Sequence, residues 1–196
     1  MISHKTTPLA KKATALIFLL FLFLYSQYAP WSGVNSGAHS WLQQIFTLYF
    51  FIANQTLGIV HEAGHGICYI LHCPEFITAA NGTAFQLLFP ALIGYYYKRR
   101  GQLFGALIGL FFLGFSLQYT AWYISTSQEG LYISAAKSFL GVDGYHDFNF
   151  LLTKMHLLDY HTLISGFTKF IATVIMMVAT FWMLLDAFTN SARKGV

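Results

Sequence analysis

Apolar residues run along the chain in long stretches, separated by short polar segments that carry Ser, Gly, Pro or charge. No Asp, Glu, Lys or Arg occurs between residues 13 and 60, between 101 and 128, or between 170 and 185. A helix needs about 20 predominantly apolar residues to cross the hydrocarbon core of a bilayer. The pattern therefore predicts an all-α, polytopic integral membrane protein.

The apolar stretches predict four full spans and one shorter segment. Residues 84–97 make up only about 14 positions and contain Pro90, so this segment is expected either to re-enter the membrane or to cross it as a kinked helix. We therefore predict about four to five transmembrane helices in a single membrane domain covering residues 1–196. The expected parts are a cytoplasmic tail at 1–12, spans at 13–29, 41–71, 84–97, 103–124 and 163–185, a turn at 75–83 and a polar segment at 125–160.

Composition agrees with the membrane class and narrows the partners. Of the 196 residues, 56% are hydrophobic and 9% are charged, whereas about 25% of the residues of a soluble domain are charged. The net charge of +4 comes from small basic clusters at the ends of apolar segments, which favours a lipid bilayer over nucleic acid as the partner. The first cluster places the N-terminus in the cytoplasm. If 84–97 is re-entrant, the basic residues 98–100 and the C-terminal tail are expected on the cytoplasmic side as well, whereas a full crossing is expected to put 98–100 on the other side.

One apolar helix carries a metal-binding pattern. His61, Glu62 and His65 form an H-E-x-x-H sequence, and residues four apart lie on one face of a helix, so both imidazoles can bind one zinc ion. Glu62 can then act as general base toward a water. An ionisable side chain in hydrocarbon costs roughly 2.5 to 3.5 kcal/mol on insertion scales, so Glu62 needs a partner or a function. The pattern predicts a zinc site.

The same helix face has a second interpretation. A row of histidines and other polar side chains also suits a structural role inside a helix bundle. In that case the protein is not an enzyme and uses the histidines to bind a structural metal or haem. Metal analysis of the purified protein separates the two interpretations.

A catalytic zinc site needs a third protein ligand. Asp143, His146 and Asp147 stand close together in the polar segment, just before the apolar positions 150–152. Asp143 followed by Gly is also typical of a turn, and Asp147 is also suited to cap the helix that follows. The residues alone leave the choice among the three open.

Polar amides occur in or beside the apolar stretches. Gln86 is expected either to line a substrate cleft or hydrogen-bond a metal ligand, or to form an interhelical hydrogen bond, and Asn81 is expected to contact the metal ligands or the substrate. Gln118 is expected to form an interhelical hydrogen bond, which is worth about 0.6 kcal/mol in membrane proteins.

The H-E-x-x-H helix followed about 80 residues later by an Asp-Gly element resembles the site-2 protease family of intramembrane zinc metalloproteases. In that family two His and an Asp from the later motif bind zinc, and the Glu activates water. The resemblance implies that His61 and His65 bind zinc, that Glu62 is the base, and that Asp143 corresponds to the later Asp.

A closer similarity is to small bacterial membrane proteins related to that family, in which H-E-x-G-H precedes G-x-x-x-Q-x-x-x-P and H-D-W-x-x-L-L. The chain has GTAFQLLFP at 82–90 and HDFNFLL at 146–152, with Phe in place of Trp. The Asn-Pro element that precedes the Asp-Gly in many family members is absent, which favours His146 or Asp147 over Asp143. The resemblance implies a zinc metalloendopeptidase of a bacterial inner membrane that cleaves a membrane-embedded or juxtamembrane peptide.

Overall fold

The computed structural model describes residues 7–28, 41–130, 132–133 and 144–192. In these residues the architecture is helical, as the apolar pattern predicts, and β structure is limited to one antiparallel pair of two-residue strands. The elements are α1 (Pro8–Tyr28), α2 (Trp41–Ile70), α3 (Glu75–Arg99), α4 (Leu103–Ser125), β1 (Tyr132–Ile133), β2 (Gly144–Tyr145), α5 (Asp147–Lys154) and α6 (His161–Ala192), with single 3₁₀ turns at Ser127–Glu129 and Leu158–Tyr160.

Three stretches of the described residues are long and apolar enough to cross a membrane: Glu75–Arg99, Leu103–Glu129 and Leu158–Thr189. The 25 residues of α3 rise about 37 Å at 1.5 Å per residue, which exceeds the ~30 Å of hydrocarbon in a bilayer. A membrane protein is therefore plausible on length and composition, and the further spans of the predicted four or five stay a prediction.

The predicted turn at 75–83 is wrong, and so is a short helix that begins only at residue 84. α3 begins at Glu75, directly after Pro74, and contains Pro90 in its interior. The Asn-Gly pair that suggested a turn lies inside the helix and faces α2. There the side-chain amide of Asn81 donates a hydrogen bond of 2.6 Å to the carbonyl oxygen of Gly64. The close contact between α3 and α2 therefore accounts for the Asn-Gly pair, which forms no turn.

α1 also begins earlier than the predicted residue 13. The hydroxyl oxygen of Thr7 accepts a hydrogen bond of 3.3 Å from the backbone N–H of Ala10, and Pro8 takes the first helical position, where its missing N–H costs nothing. The predicted tail therefore contributes its residues 8–12 to the helix. The predicted limits of the second and fourth spans agree with α2 and α4 to within one residue.

α4 lies at the centre of the helix packing. Its buried aromatic side chains at positions 104, 111, 115, 119 and 123 pack with side chains of α6 and α1 in one hydrophobic cluster. On another side of α4, two glycines let α3 approach backbone to backbone. A β-carbon added to Gly109 would lie only 2.5 Å from the α-carbon of Gly94, so position 109 has no room for a larger residue, and a β-carbon on Gly94 would lie 3.3 Å from the carbonyl oxygen of Ala106.

The helix directions bring the segments that carry the predicted metal ligands to one end of the bundle. α3 runs antiparallel to both α2 and α4, so the end of α2, the start of α3 and the end of α4 lie together, and α5 packs beside them. At the opposite end, the Lys11 ammonium lies 5.4 Å from the ring centre of Phe104. Lys11 thus lies at the same end of the bundle as the basic residues 98–100, the arrangement expected if 84–97 does not separate them.

Candidate metal centre

Three buried side chains from two helices meet at this end. His61 and His65 lie one turn apart on α2, and Asp147 is the first residue of α5. Oδ2 of Asp147 is 2.8 Å from Nε2 of His61 and 3.3 Å from Nε2 of His65. The three potential ligand atoms all lie within 4.8 Å of one another. This group of His61, His65 and Asp147, called the metal group below, could hold a metal ion.

The second ring nitrogen of His65, Nδ1, is hydrogen-bonded to a backbone carbonyl oxygen. This nitrogen is 2.8 Å from the carbonyl oxygen of Thr78 in α3. A carbonyl oxygen only accepts hydrogen bonds, so Nδ1 of His65 carries the hydrogen. The neutral imidazole therefore presents the lone pair of Nε2 to the metal group.

Gln86 fixes the tautomer of His61 in the same way, by accepting a hydrogen bond from its Nδ1. The Gln86 amide nitrogen donates to the Ser116 hydroxyl at 3.0 Å and to the Ser116 carbonyl oxygen at 3.4 Å, which assigns that end of the amide as the donor. Oε1 of Gln86 therefore faces Nδ1 of His61, at 3.3 Å, and accepts its hydrogen. The expectation that Gln86 contacts a candidate metal ligand agrees with this geometry.

With both Nδ1 atoms protonated, two Nε2 lone pairs and a carboxylate oxygen face one another. These electron-rich atoms repel unless a cation lies between them or a second proton on one or both rings turns the contact with Asp147 into a charged N–H···O bond. Two imidazolium ions beside one carboxylate would bury a net positive charge, which is costly in an apolar interior. One imidazolium beside the carboxylate is electrically neutral but leaves the second Nε2 lone pair facing Asp147, whereas a metal ion can bind all three atoms. Metal-ligating histidines commonly donate their other N–H to an oxygen in the way seen here.

The charge of Asp147 fits a ligand role. Burial by itself raises the pKa of this carboxyl, but N–H donation and positive charge from the His61 and His65 rings, when a ring carries the second proton, outweigh burial and hold the pKa below its ordinary value. Asp147 is therefore a carboxylate at neutral pH, the protonation state in which it can bind a metal.

The backbone of α3 keeps space open beside the two histidines. A β-carbon on Gly82 would lie 2.5 Å from Nε2 of His65 and 2.6 Å from Nε2 of His61. Zinc–nitrogen bonds are about 2.0 to 2.1 Å long, so such a carbon would compete with an ion for the same space. The glycine at this position fits a metal site, because any side chain would fill it.

His146, a predicted alternative to Asp147, does not join the metal group. Its Nδ1 accepts a hydrogen bond of 3.4 Å from the backbone N–H of Asn149 and caps α5, and its Nε2 lies 3.1 Å from the Thr126 hydroxyl. Burial lowers the pKa of His146 to about 4, so the ring is neutral at pH 7 and can accept that bond. The capping role expected of Asp147 belongs to His146, and the Asp147 carboxylate faces α2.

The remaining predicted residues differ in their surroundings. Glu62 is exposed, on the face of α2 next to His61, and interacts electrostatically with His65. Asn81 fastens α3 to α2 through its hydrogen bond to Gly64 and is not a member of the metal group. Asp143 lies outside the described residues.

Sequence reasoning missed two residues that contact the metal group. Thr78 acts through its backbone carbonyl, which no side-chain pattern reveals. Tyr123, buried in α4, places its hydroxyl oxygen 3.5 Å from Oδ2 of Asp147. A buried tyrosine hydroxyl usually has a hydrogen-bond partner, but with 12 tyrosines in the chain this signal does not single out Tyr123.

Comparison with known proteins leaves the site to be interpreted from its own geometry. No protein family, no curated protein and no solved structure matches the chain. The similarity to site-2 proteases therefore rests on the short motifs alone.

Proposed function

We propose that the chain is a zinc-dependent intramembrane peptidase with Glu62 as its general base. The observation that supports this proposal is the convergence of Nε2 of His61, Nε2 of His65 and Oδ2 of Asp147, with each imidazole held from behind by an oxygen acceptor. Two histidines and one carboxylate are a ligand set of catalytic zinc sites, and three protein ligands leave one position for water or substrate.

The surroundings of the metal group suggest the class of substrate. Two of the helices that line it, α3 and α4, have the length and apolarity of membrane spans. A soluble peptide would have poor access to such a site, so the proposed substrate is a membrane-embedded or juxtamembrane peptide segment. We place the protein in a membrane with the basic N-terminal segment on the cytoplasmic side.

The proposed chemistry divides between the metal and Glu62. When bound, zinc would supply the Lewis acidity that polarises the scissile carbonyl and acidifies a water molecule. His61, His65 and Asp147 would hold it, while Gln86 and Thr78 keep the two imidazoles in the tautomer that binds metal. Glu62 would take a proton from the attacking water and pass it to the leaving amine.

The compactness of the metal group bears on the haem alternative. A porphyrin needs an axial ligand directed at its face and a flat pocket for the ring. Here the ligand atoms of three residues lie within 4.8 Å of one another, and α3 closes in at Gly82. Such a group suits a single ion, which favours zinc over haem.

The decisive experiment separates metal binding from catalysis. Purified protein in detergent is loaded with zinc, its metal content is measured, and it is incubated with a panel of synthetic transmembrane peptides whose cleavage is followed by mass spectrometry. We expect one zinc per chain and cleavage by the wild type. Glu62→Gln should keep the zinc and lose the cleavage.

A matched control is Glu75→Gln, which removes another exposed carboxylate, from the first turn of α3. This variant should cleave like the wild type. Equal cleavage by Glu62→Gln would refute the proposed base, and zinc binding without cleavage of any peptide by the wild type would support the structural-metal alternative.

A further inference from the structure

Tyr123 joins α4 to the segment that supplies the third residue of the metal group. Its side chain is 3% exposed. Its hydroxyl oxygen accepts a hydrogen bond of 3.3 Å from the backbone N–H of Asp147, and its single hydrogen is shared between Oδ2 of Asp147 at 3.5 Å and the carbonyl oxygen of Tyr145 at 3.4 Å. That Oδ2 is also the oxygen that faces His61 and His65. One phenol therefore contacts both the backbone and the carboxylate of Asp147.

The ring of Tyr123 is held as firmly as its hydroxyl. It stacks on the ring of His146 with 4.3 Å between centroids and 6° between planes. His146 is itself held at both nitrogens, by the N–H of Asn149 and the hydroxyl of Thr126. Tyr123 thus has a rigid partner on its face, and little freedom remains for its hydroxyl to move away from Asp147.

We propose that Tyr123 is a positioning residue, which sets the carboxylate of Asp147 in the orientation that binds the metal. The inference rests on the metal site of the proposed function. Asp147 needs such help because it opens a helix of only eight residues, α5, so its helix alone gives it a weak anchor. Hydrogen bonds to a ligating carboxylate orient it, and their loss typically weakens metal binding 10- to 100-fold.

The competing explanation is that Tyr123 only fills space in the core around α4. The two explanations differ in which part of the side chain matters. A packing role depends on the ring, which stacks on His146, whereas a positioning role depends on the hydroxyl, which contacts Asp147. Removing the oxygen alone therefore distinguishes them.

The test compares Tyr123→Phe with Tyr123→Leu. Zinc affinity is measured by competition with a chromophoric chelator, and the stability of the metal-free protein by thermal unfolding in detergent. We expect both variants to bind zinc about 10- to 100-fold more weakly than the wild type. Only the Leu variant should also lose stability, because Phe keeps the stacking on His146.

Tyr119→Phe is the matched control. Tyr119 lies one turn earlier on α4, is equally buried, and packs against Phe115 and Trp122. Tyr119→Phe should leave zinc affinity unaltered. Cobalt, substituted for zinc, gives a second readout, because the absorption spectrum of the bound ion reports the geometry of its ligands and should change in Tyr123→Phe but not in Tyr119→Phe.

Each outcome has a clear meaning. Wild-type zinc affinity and an unchanged cobalt spectrum in Tyr123→Phe would overturn the positioning role, while the proposed peptidase would stand. Zinc binding that depends on Tyr123 in a protein without peptidase activity would support the inference and count against the proposed function. A wild type that binds no metal would overturn both.

Discussion

Gly82 faces Nε2 of His65 so closely that a β-carbon at position 82 would lie 2.5 Å from that nitrogen. The same carbon would lie 2.6 Å from Nε2 of His61, so α3 closes one side of the metal group with bare backbone. The histidine motif on α2 and the glycine of the second motif on α3 are thus parts of one site. This relationship gives the most direct test of the metal group.

Gly82→Ala should abolish zinc binding. The added methyl group would compete with the ion for the space between the two Nε2 atoms, and the neighbouring backbone of α3 cannot retreat without disturbing its packing on α2. Zinc content after dialysis measures the effect. Gly66→Ala is the control, because a β-carbon on Gly66 of α2 would meet no atom within 4 Å. Full zinc content in Gly82→Ala would contradict the location of the site.

Replacing Asp147 and His146 in turn should identify the third ligand. Asp147→Ala removes a candidate ligand and should lose zinc, while His146→Asn should still bind one zinc per chain, more weakly where the lost stacking frees Tyr123, because an asparagine at the N-cap can still accept the hydrogen bond from the N–H of Asn149. Zinc stoichiometry of both proteins is the measurement. The reverse result would make His146 the ligand and rule out the arrangement described above.

Gln86 and Gln118, both buried, offer a further matched pair. Gln86→Leu removes the acceptor for Nδ1 of His61 and should weaken zinc binding about 10- to 100-fold. Gln118→Leu removes a hydrogen bond of 2.7 Å to the Thr173 hydroxyl in α6 and should leave zinc affinity unchanged. Chelator competition gives both affinities. Equal affinities in the two variants would mean that Gln86 does not support His61.

Part of this site was predictable from the sequence because it depends on local spacing. His61 and His65 share a face of α2 by the geometry of any helix, and the limits of α2 and α4 follow from how far the apolar stretches extend. Helix geometry also places Glu62, the residue after His61, beside that histidine on the surface of α2. These features need no knowledge of neighbouring helices.

The rest depends on tertiary contacts that composition does not encode. His146 and Asp147 are adjacent in sequence, and only the position of α5 against α2 and α4 decides which one faces the histidines. The Asn-Gly pair at 81–82 predicted a turn, yet both residues are explained by the close approach of α3 to α2. Tyr123 carries no distinguishing pattern at all.

The fastening of α1 to α6 can be tested independently of the metal group. Nζ of Lys11 lies 2.7 Å from Oδ2 of Asp186, a side chain that is only 6% exposed. Lys11→Met should lower the free energy of unfolding by about 1 to 3 kcal/mol, because a buried carboxylate loses its nearest cation. Lys12→Met, whose ammonium lies over the ring of Phe188, should cost less than about 1 kcal/mol.

Adding Asp186→Leu to Lys11→Met should recover part of the lost stability, since replacing both members of a buried ion pair by apolar residues is often neutral. Thermal unfolding of the wild type, Lys11→Met, Lys12→Met and the Lys11→Met, Asp186→Leu double variant in one detergent gives the comparison. None of the variants should alter zinc affinity, because the pair lies at the end of the bundle opposite the metal group. A double variant less stable than Lys11→Met alone would show that Asp186 stabilises the fold through contacts other than the one with Lys11.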